Sequence, residues 1–154
     1  MNGIKMSDCL FYVNEDERTV VCVIPNTKYL LIEEYPKLKC FEELNVNCYH
    51  DKTRGFVKIQ DGCENFCSYC TIPFSRGLFR SRNKDAIIKE IQTLTNNGMK
   101  EIVLTGINTG AYGKDFGDYN FPNLLEDICL NVNNLGRLRI SSIEATEVND
   151  ELLR

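Results

Sequence analysis

The chain has 154 residues, of which 43% are hydrophobic and 26% charged, and these are the values of a globular domain that can build an apolar core. Its net charge of −4 excludes a surface that attracts nucleic acid as a whole, so any contact with a polyanion has to be local. No run approaches the roughly 18 uninterrupted apolar residues of a membrane span, and the stretch MNGIKMSDCLFYV lacks the blocks of a secretion signal. We therefore expect a cytoplasmic protein with no membrane contact.

The first 50 residues show few local patterns. TVVCVIP (19–25) is rich in β-branched residues and predicts a strand. TKYLLIEEY (27–35) is compatible with either a helix or a strand. Residues 1–50 are therefore predicted to form a short α+β segment.

Further along the chain, strand and helix patterns alternate. GFVKIQ (55–60) is a short alternating run that predicts a strand. KDAIIKEIQTLTNNG (84–98) predicts a helix that ends at Gly98, and EIVLTG (101–106) predicts a second strand. The apolar face of this helix is formed by Ile87, Ile88, Ile91 and Leu94.

A second helix and a third strand follow. PNLLEDICLNVNNLG (122–136) predicts a helix with Pro122 at its start and Gly136 at its end. RLRISSI (137–143) predicts the third strand, and Asn149 is a candidate cap for a further helix. Because the crossovers are long enough for parallel pairing, we predict an α/β fold with about three parallel βα units. Functional loops are then expected at the carboxyl ends of the strands.

Three of the eight cysteines are clustered in DGCENFCSYC (61–70), directly after the first predicted strand. They are Cys63, Cys67 and Cys70. Since cytoplasmic thiols are kept reduced, such a cluster indicates a metal site or redox chemistry rather than disulfides. The scattered cysteines are expected to be small buried apolar residues. They are Cys9, Cys22, Cys40, Cys48 and Cys129.

The spacing C-x3-C-x2-C leaves three interpretations. A buried helical stripe is disfavoured, because Gly62 and Pro73 bracket a segment without a wider apolar pattern. A structural zinc site requires four ligands, with His50 or a distant cysteine as the fourth. An iron–sulfur cluster normally has four thiolates, so three would leave one iron open to a substrate or cofactor.

The segments around these motifs resemble a known family. They are RGFVKIQDGCENFCSYCTIPFSRGLFRSR (54–82), EIVLTGINTGAYG (101–113) and RLRISSIEATEVNDEL (137–152), with FEELNV (41–46) before them. All resemble the methylthiotransferases of the radical S-adenosylmethionine superfamily. The motifs KIQDGC, LTGINTGAYG and RISSIE most closely resemble those of the branch that modifies N6-threonylcarbamoyladenosine beside the tRNA anticodon.

The resemblance implies a chemistry. Cys63, Cys67 and Cys70 would hold a [4Fe–4S] cluster, and S-adenosylmethionine would chelate the fourth iron and be cleaved to a 5′-deoxyadenosyl radical. A methylthio group would be installed at C2 of the modified adenine. The partners implied are tRNA and an electron donor such as flavodoxin or ferredoxin.

The resemblance also implies roles for residues after each strand. Tyr69 would line the adenine end of the cofactor, and Gly106 and Asn108 would meet its amino-acid or ribose part. Ser142 and Glu144 would form hydrogen bonds with the ribose or the amino group.

The basic stretch SRGLFRSRNK (75–84) contains three arginines and no acidic residue. By itself the pattern is also that of a solvated basic loop. With the family in view, Arg76, Arg80 and Arg82 are candidate contacts to phosphate or to a cofactor carboxylate.

Family members are longer than this chain, with about six βα units, a preceding domain that holds an auxiliary cluster and a following β domain that grips tRNA. Residues 1–50 are thus interpreted as a remnant of the preceding domain plus linker, and residues 51–154 as the N-terminal half of a radical SAM (βα) barrel. The alternative is a truncated, non-catalytic module that binds iron–sulfur or zinc.

Overall fold

The structure is a computed structural model. It describes the backbone at residues 10–14, 19–23 and 30–31, and backbone and side chains at residues 41, 43, 46, 47 and 52–153. The chain divides into two compact units, Met1–Leu38 and Lys39–Arg154. The boundary expected at residue 50 lies inside the second unit, and His50, Cys9, Cys40 and Cys48 lie outside the described residues.

The first unit contains an antiparallel three-stranded sheet. Its strands are β1 (Leu10–Asn14), β2 (Thr19–Val23) and β3 (Leu30–Leu31). The central β2 pairs with both neighbours, with Leu10 opposite Val23 and Cys22 opposite Leu30. The strand predicted at 19–25 is therefore confirmed at Thr19–Val23, and residues 24–25 lie outside the described residues.

In the described part of the second unit, a parallel sheet is combined with three α-helices. In chain order its elements are β4 (Arg54–Lys58), β5 (Gln60–Asp61), α1 (Ile72–Arg76), β6 (Arg80–Ser81), α2 (Lys84–Asn96), β7 (Glu101–Thr105), α3 (Phe121–Asn131) and β8 (Arg137–Ile140), with 3₁₀ turns at Thr109–Ala111 and Ala145–Glu147. The parallel sheet has the order β4-β7-β8, whereas β5 and β6 form a short antiparallel pair. Both pairings of the parallel sheet follow long crossovers, as the sequence predicts.

The register places apolar side chains in rows across the parallel sheet. Val57 lies opposite Leu104, which lies opposite Ile140, and Ile102 lies opposite Leu138. Side chains two residues apart point to the same face of a strand, so these rows share one face. They pack with α2 and α3 into one core, whose fully buried members include Ile59, Ile87, Ile91, Leu94, Leu124 and Ile128.

Both long helices begin at asparagine caps. Asn83 Oδ1 accepts hydrogen bonds from the N–H groups of Asp85 and Ala86, at 2.8 and 3.3 Å. Asn120 and Asn123 exchange side chain to backbone hydrogen bonds at the start of α3. These bonds satisfy N–H groups that have no partner inside a helix, which fixes where each helix starts.

The predicted end of the second helix is wrong. The helix stops at Asn131 and not at Gly136, because Val132 leaves helical geometry and Asn134 adopts a φ of +61°. Asparagine has a low helix propensity, and its side chain competes for backbone hydrogen bonds. The turn brings Gly136 N–H to within 3.1 Å of the Lys100 carbonyl, where β8 joins the sheet. None of the helices among residues 52–153 is long and apolar enough to cross a bilayer.

Candidate functional site

The carboxyl ends of the three parallel strands meet at one edge of the sheet. The Ile59 N–H donates to the Thr105 carbonyl at 2.8 Å, and the Ser141 N–H donates to the Leu104 carbonyl at 3.1 Å. The loops after β4, β7 and β8 consequently leave from the same side. This is the edge at which open α/β sheets and α/β barrels place their sites.

Residues 62–71, which follow β4 and the short β5, carry the three clustered cysteines and are called the cysteine loop below. Its first residue, Gly62, has a φ of +76°, and a Cβ atom there would lie 1.8 Å from the Leu78 carbonyl oxygen. The next residue, Cys63, donates its N–H to the Gly77 carbonyl at 3.0 Å. Only glycine fits this close contact, which closes the base of the cysteine loop.

The three thiols of the cysteine loop are free and accessible to solvent. Cys67 is exposed, whereas Cys63 and Cys70 are half-buried. The Cys70 N–H donates to the Cys67 carbonyl at 2.9 Å, and Phe66 before this turn has a φ of +45°. None of the three thiols is packed into the apolar core, so a buried structural stripe does not explain them.

Within the described part of the chain, no three His, Cys, Asp or Glu side chains converge on one metal ion. A [4Fe–4S] cluster does not require such convergence, because each thiolate binds a different iron. Three free thiols on one exposed loop therefore fit the donor set of that cluster. Cys63, Cys67 and Cys70 are the residues that would hold it.

Asp61, directly before the cysteine loop, forms ion pairs with three basic side chains. Its Oδ2 lies 2.6 Å from Lys58 Nζ, 3.6 Å from Arg76 Nη1 and 3.7 Å from Arg80 Nη2. Partial burial raises the pKa of the Asp61 carboxyl, but the hydrogen bonds from Lys58 and the Gly62 N–H, with the charges of Lys58 and Arg76, outweigh it and hold the pKa below its ordinary value of 3.8. Lys58, Arg76 and Arg80 thus surround one carboxylate directly before the cysteine loop.

The three candidate arginines lie in different environments. The Arg76 side chain is 51% exposed, so it is accessible to a phosphate or carboxylate. Arg80 is buried and donates to the Leu78 carbonyl at 3.2 Å. The Arg82 side chain is 2% exposed and is paired with Glu43 at 2.7 Å and with the buried Glu90. This geometry indicates a structural role for Arg82, since its charge is compensated inside the protein.

Gln60 connects the cysteine loop to the loop after β7. Its Nε2 donates to the carbonyls of Asp61 and Gly62, both at 2.7 Å, and its Oε1 accepts from the Asn108 N–H at 2.9 Å. Gly106 packs against the same side chain, and a Cβ atom there would lie 3.1 Å from Gln60 Oε1. The two residues predicted after the second strand, Gly106 and Asn108, are thereby placed next to the cysteine loop.

The side chain of Asn108 is buried, and among the described residues neither its Oδ1 nor its Nδ2 has a hydrogen-bond partner. A buried amide without a partner is costly, which is typical of a group that binds a ligand. Its position after β7 fits the predicted contact with the amino-acid or ribose part of S-adenosylmethionine.

The remaining predicted residues lie at the surface of the same edge. Tyr69 is 89% exposed, and Ser142 and Glu144 after β8 are exposed too. Between the loops, Thr109 Oγ1 and Ser141 Oγ lie 3.1 Å apart. The structure brings the candidate residues to one edge, and their contacts to a cofactor stay predictions.

Sequence reasoning missed Gln60 and Asp61 at this edge, and it missed the buried Glu90 on α2. Only Glu90 had a clear signal, because it lies on the helix face of Ile87, Ile91 and Leu94, where a charge requires a buried partner. The exposure of Cys129 on α3 shows that its expected burial is wrong.

Comparison with known proteins identifies the family. A model of the radical SAM superfamily matches residues 57–152. The chain is 51% identical over 117 residues to threonylcarbamoyladenosine tRNA methylthiotransferase MtaB of Bacillus subtilis, a match that covers 76% of this chain and 26% of that protein. It is 36% identical over 149 residues to the MtaB of Chlamydia pneumoniae, covering 96% and 34% of the two chains. The ribosomal protein uS12 methylthiotransferase RimO of Desulfitobacterium hafniense is 42% identical over 78 residues, covering 50% of this chain and 18% of that protein.

Among solved structures, the fold is similar to that of the radical S-adenosylmethionine methyltransferase TsrM from Kitasatospora setae, determined with cobalamin and a [4Fe–4S] cluster bound. The TM-score is 0.52 at 21% identity, over 64% of this chain and 19% of that one. The parallel α/β fold expected for part of a radical SAM barrel is thus confirmed. The chain spans about a third or less of the curated relatives it matches. The chain belongs to the radical SAM superfamily and is similar to part of the length of its methylthiotransferases.

Proposed function

We propose that this chain carries the cluster-binding and part of the cofactor-binding machinery of a tRNA methylthiotransferase that modifies C2 of N6-threonylcarbamoyladenosine beside the anticodon. The observation that carries the proposal is the position of three free thiols, on the loop after the first parallel strand of a radical SAM domain. The matches to the two MtaB proteins cover more of this chain than the match to RimO does. This supports a tRNA nucleoside as the substrate rather than ribosomal protein uS12.

In this proposal the candidate residues at the carboxyl edge of the sheet bind the cluster or the cofactor. Cys63, Cys67 and Cys70 hold a [4Fe–4S] cluster, which supplies the electron that cleaves S-adenosylmethionine to a radical. Asn108 offers a buried amide to the cofactor, and Tyr69 offers an exposed ring for its adenine. Ser142 and Glu144 are candidate acceptors for its ribose hydroxyls or amino group.

The partners follow from the same site. The exposed Arg76 is the candidate phosphate contact for tRNA, because guanidinium groups bind phosphate through paired hydrogen bonds. Arg80 would contribute charge beside Asp61, directly before the cysteine loop, whereas the pairing of Arg82 gives that residue a structural role. An electron donor such as flavodoxin or ferredoxin would reduce the cluster, in the cytoplasm.

A second candidate is a metal-binding module without transferase activity. It is favoured by one observation, namely that Cys63, Cys67 and Cys70 are free and lie on an accessible loop, where their thiolates would suit zinc as well as iron.

The experiment that separates the two is anaerobic reconstitution of the chain with iron and sulfide, followed by dithionite and S-adenosylmethionine. Formation of 5′-deoxyadenosine supports the radical SAM function. A brown protein that leaves the cofactor intact supports the non-catalytic module, and a colourless protein that binds only zinc contradicts the cluster. Transfer of the methylthio group to tRNA then has to be assayed with the chain and with a full-length relative side by side.

A further inference from the structure

The side chain of Gln60 has an unusual position for a glutamine. It is the first residue of β5, two residues after the end of β4, and its exposed fraction is 0%. Glutamine is mostly exposed in proteins, and a buried amide is stable only when its polar atoms are paired. The hydrogen bonds of Gln60 therefore indicate its role.

The hydrogen bonds of the Gln60 amide all go to backbone groups, and these groups belong to two different loops. The two N–H donors of Gln60 are both used by backbone carbonyls, of Asp61 and Gly62, directly before the first cysteine of the loop. The acceptor oxygen is used by the backbone N–H of Asn108, 48 residues away in the chain. An amide is the side chain that offers two donors and an acceptor, so carboxylate or alkyl replacements cannot make the same three bonds.

The packing around Gln60 confirms that the two loops approach closely here. Gly106 lies against its side chain, with only 3.1 Å between Gln60 Oε1 and a Cβ atom built on the glycine. The later part of the loop after β7 is held separately, because the Gly113 N–H donates to Ser81 Oγ at 2.8 Å and Tyr112 Oη donates to the Arg82 carbonyl at 2.7 Å. Removal of the Gln60 bonds would therefore loosen the region of Asn108 without detaching the whole loop.

We propose that Gln60 is a positioning residue, which fixes Cys63 relative to Asn108 and so sets the cluster ligand and the cofactor-binding amide in register. The part that concerns the cofactor rests on the function proposed above. Gln60 itself touches neither thiol nor cofactor in this scheme. It acts through the two backbone segments that it joins.

The variant Gln60→Glu tests the proposal with an isosteric change. The carboxylate keeps an acceptor for the Asn108 N–H but cannot donate to the two carbonyls. After anaerobic reconstitution, we expect an iron content equal to that of the wild type, because the thiols are unchanged. We expect the Kd for S-adenosylmethionine, measured by equilibrium dialysis, to rise about tenfold, and the cofactor-induced change in the electron paramagnetic resonance spectrum of the reduced cluster to shrink.

Gln92→Glu is the matched control. Gln92 also joins two segments through its amide, since its Nε2 donates to Asn96 Oδ1 at 2.9 Å and its Oε1 accepts from the Asn133 N–H at 2.9 Å. Asn133 lies before β8, at the opposite end of the sheet. Gln92→Glu is expected to bind the cofactor like the wild type. Wild-type affinity in Gln60→Glu, or equal losses in both variants, would overturn the proposal, and so would parallel losses of iron and cofactor in Gln60→Glu.

Hydrogen exchange on the cofactor-free chain tests the connection between the loops independently. Gln60→Met keeps the volume but removes all three bonds, so the amides of Asn108 and Cys63 should exchange at least about tenfold faster than in the wild type. Unchanged exchange at these amides would overturn the positioning role. If the wild type fails to bind S-adenosylmethionine, the function proposed above fails, whereas the exchange rates still decide whether Gln60 holds the two loops together.

Discussion

Arg82 and Glu90 form an ion pair in which both side chains are almost completely buried, with exposed fractions of 2% and 3%. Glu43 completes the group, 2.7 Å from Arg82, and the Val46 N–H donates to Glu90 Oε1 at 3.1 Å. The segment before β4 is thereby attached to α2 through charged groups. This arrangement explains why a basic residue in the stretch after the cysteines is unavailable to an external anion.

Arg82→Ala is predicted to destabilise the chain strongly. Removing one partner of a buried ion pair leaves an uncompensated charge, which costs about 3–5 kcal/mol. Arg76→Ala, which removes an arginine that is 51% exposed and 3.6 Å from Asp61, should change the free energy of unfolding by about 1 kcal/mol or less. Urea denaturation of the two variants measures the difference, and equal effects would contradict the structural role of Arg82.

The stability contribution of Asp61 is predicted to depend on pH. Because the pKa of Asp61 is lowered in the folded chain, its contribution is present above the pKa of the unfolded chain and is lost as the pH falls through the folded pKa. Asp61→Asn should therefore cost about 1 kcal/mol at pH 7, and this difference from the wild type should shrink as the solution is acidified below about pH 5.

Thermal unfolding at several pH values measures the Asp61 effect. The control is Asp118→Asn, at an exposed position of the loop after β7. It should leave the unfolding temperature unchanged at every pH. A cost of Asp61→Asn that stayed constant from pH 7 to pH 3 would show that the charge of the carboxylate does not contribute.

Iron binding is predicted to depend on the cysteine loop and not on cysteines in general. Cys67→Ala should abolish the brown colour after reconstitution, because it removes one of three thiolates on an exposed loop. Cys129→Ala, at a cysteine that is also free and exposed but lies on α3, should retain the iron content of the wild type. Iron and sulfide analysis measures both, and similar losses would mean that the thiols of the loop are not the specific ligands.

The sequence predicted the parallel sheet and, to within one residue, the start of each long helix, because these depend on repeated apolar positions and on short-range signals such as Pro122. Ile87, Ile91 and Leu94 recur at helical spacing and are all buried. The end of α3 depends instead on the turn that returns Gly136 to the sheet, which is a tertiary contact. For the same reason the sequence could place Arg82 in a basic stretch but could not show that its partners, Glu43 and Glu90, lie 39 and 8 residues away.

The base of the cysteine loop could be anticipated only in part. The sequence indicated an active-site loop after the first strand, since parallel strands place their loops at one edge. It gave no sign that Gln60 turns inward to bind the backbone of Asn108, because a buried position within a strand pattern is equally compatible with a packing role. Contacts between loops depend on how the two backbones approach each other, and the spacing of apolar residues in the sequence does not indicate that approach.

Gly62→Ala is predicted to disrupt the cysteine loop. The residue has a φ of +76°, which L side chains rarely adopt, and its added Cβ atom would lie 1.8 Å from the backbone oxygen of Leu78. Gly117→Ala is the matched control, because Gly117 has a similar φ of +81° but nothing within 4 Å of an added Cβ atom. The control should lose about 1–2 kcal/mol of stability from the left-handed backbone alone.

The difference between the two glycine variants therefore isolates the steric contact from the backbone strain. Gly62→Ala should lose several kcal/mol, or shift the chain before Cys63, which donates to the Gly77 carbonyl next to the clash. We expect iron incorporation to fall in Gly62→Ala and to stay at the wild-type level in Gly117→Ala. If both variants lost the same stability and kept their iron, the close approach of Gly62 to Leu78 would not be what shapes the base of the cysteine loop.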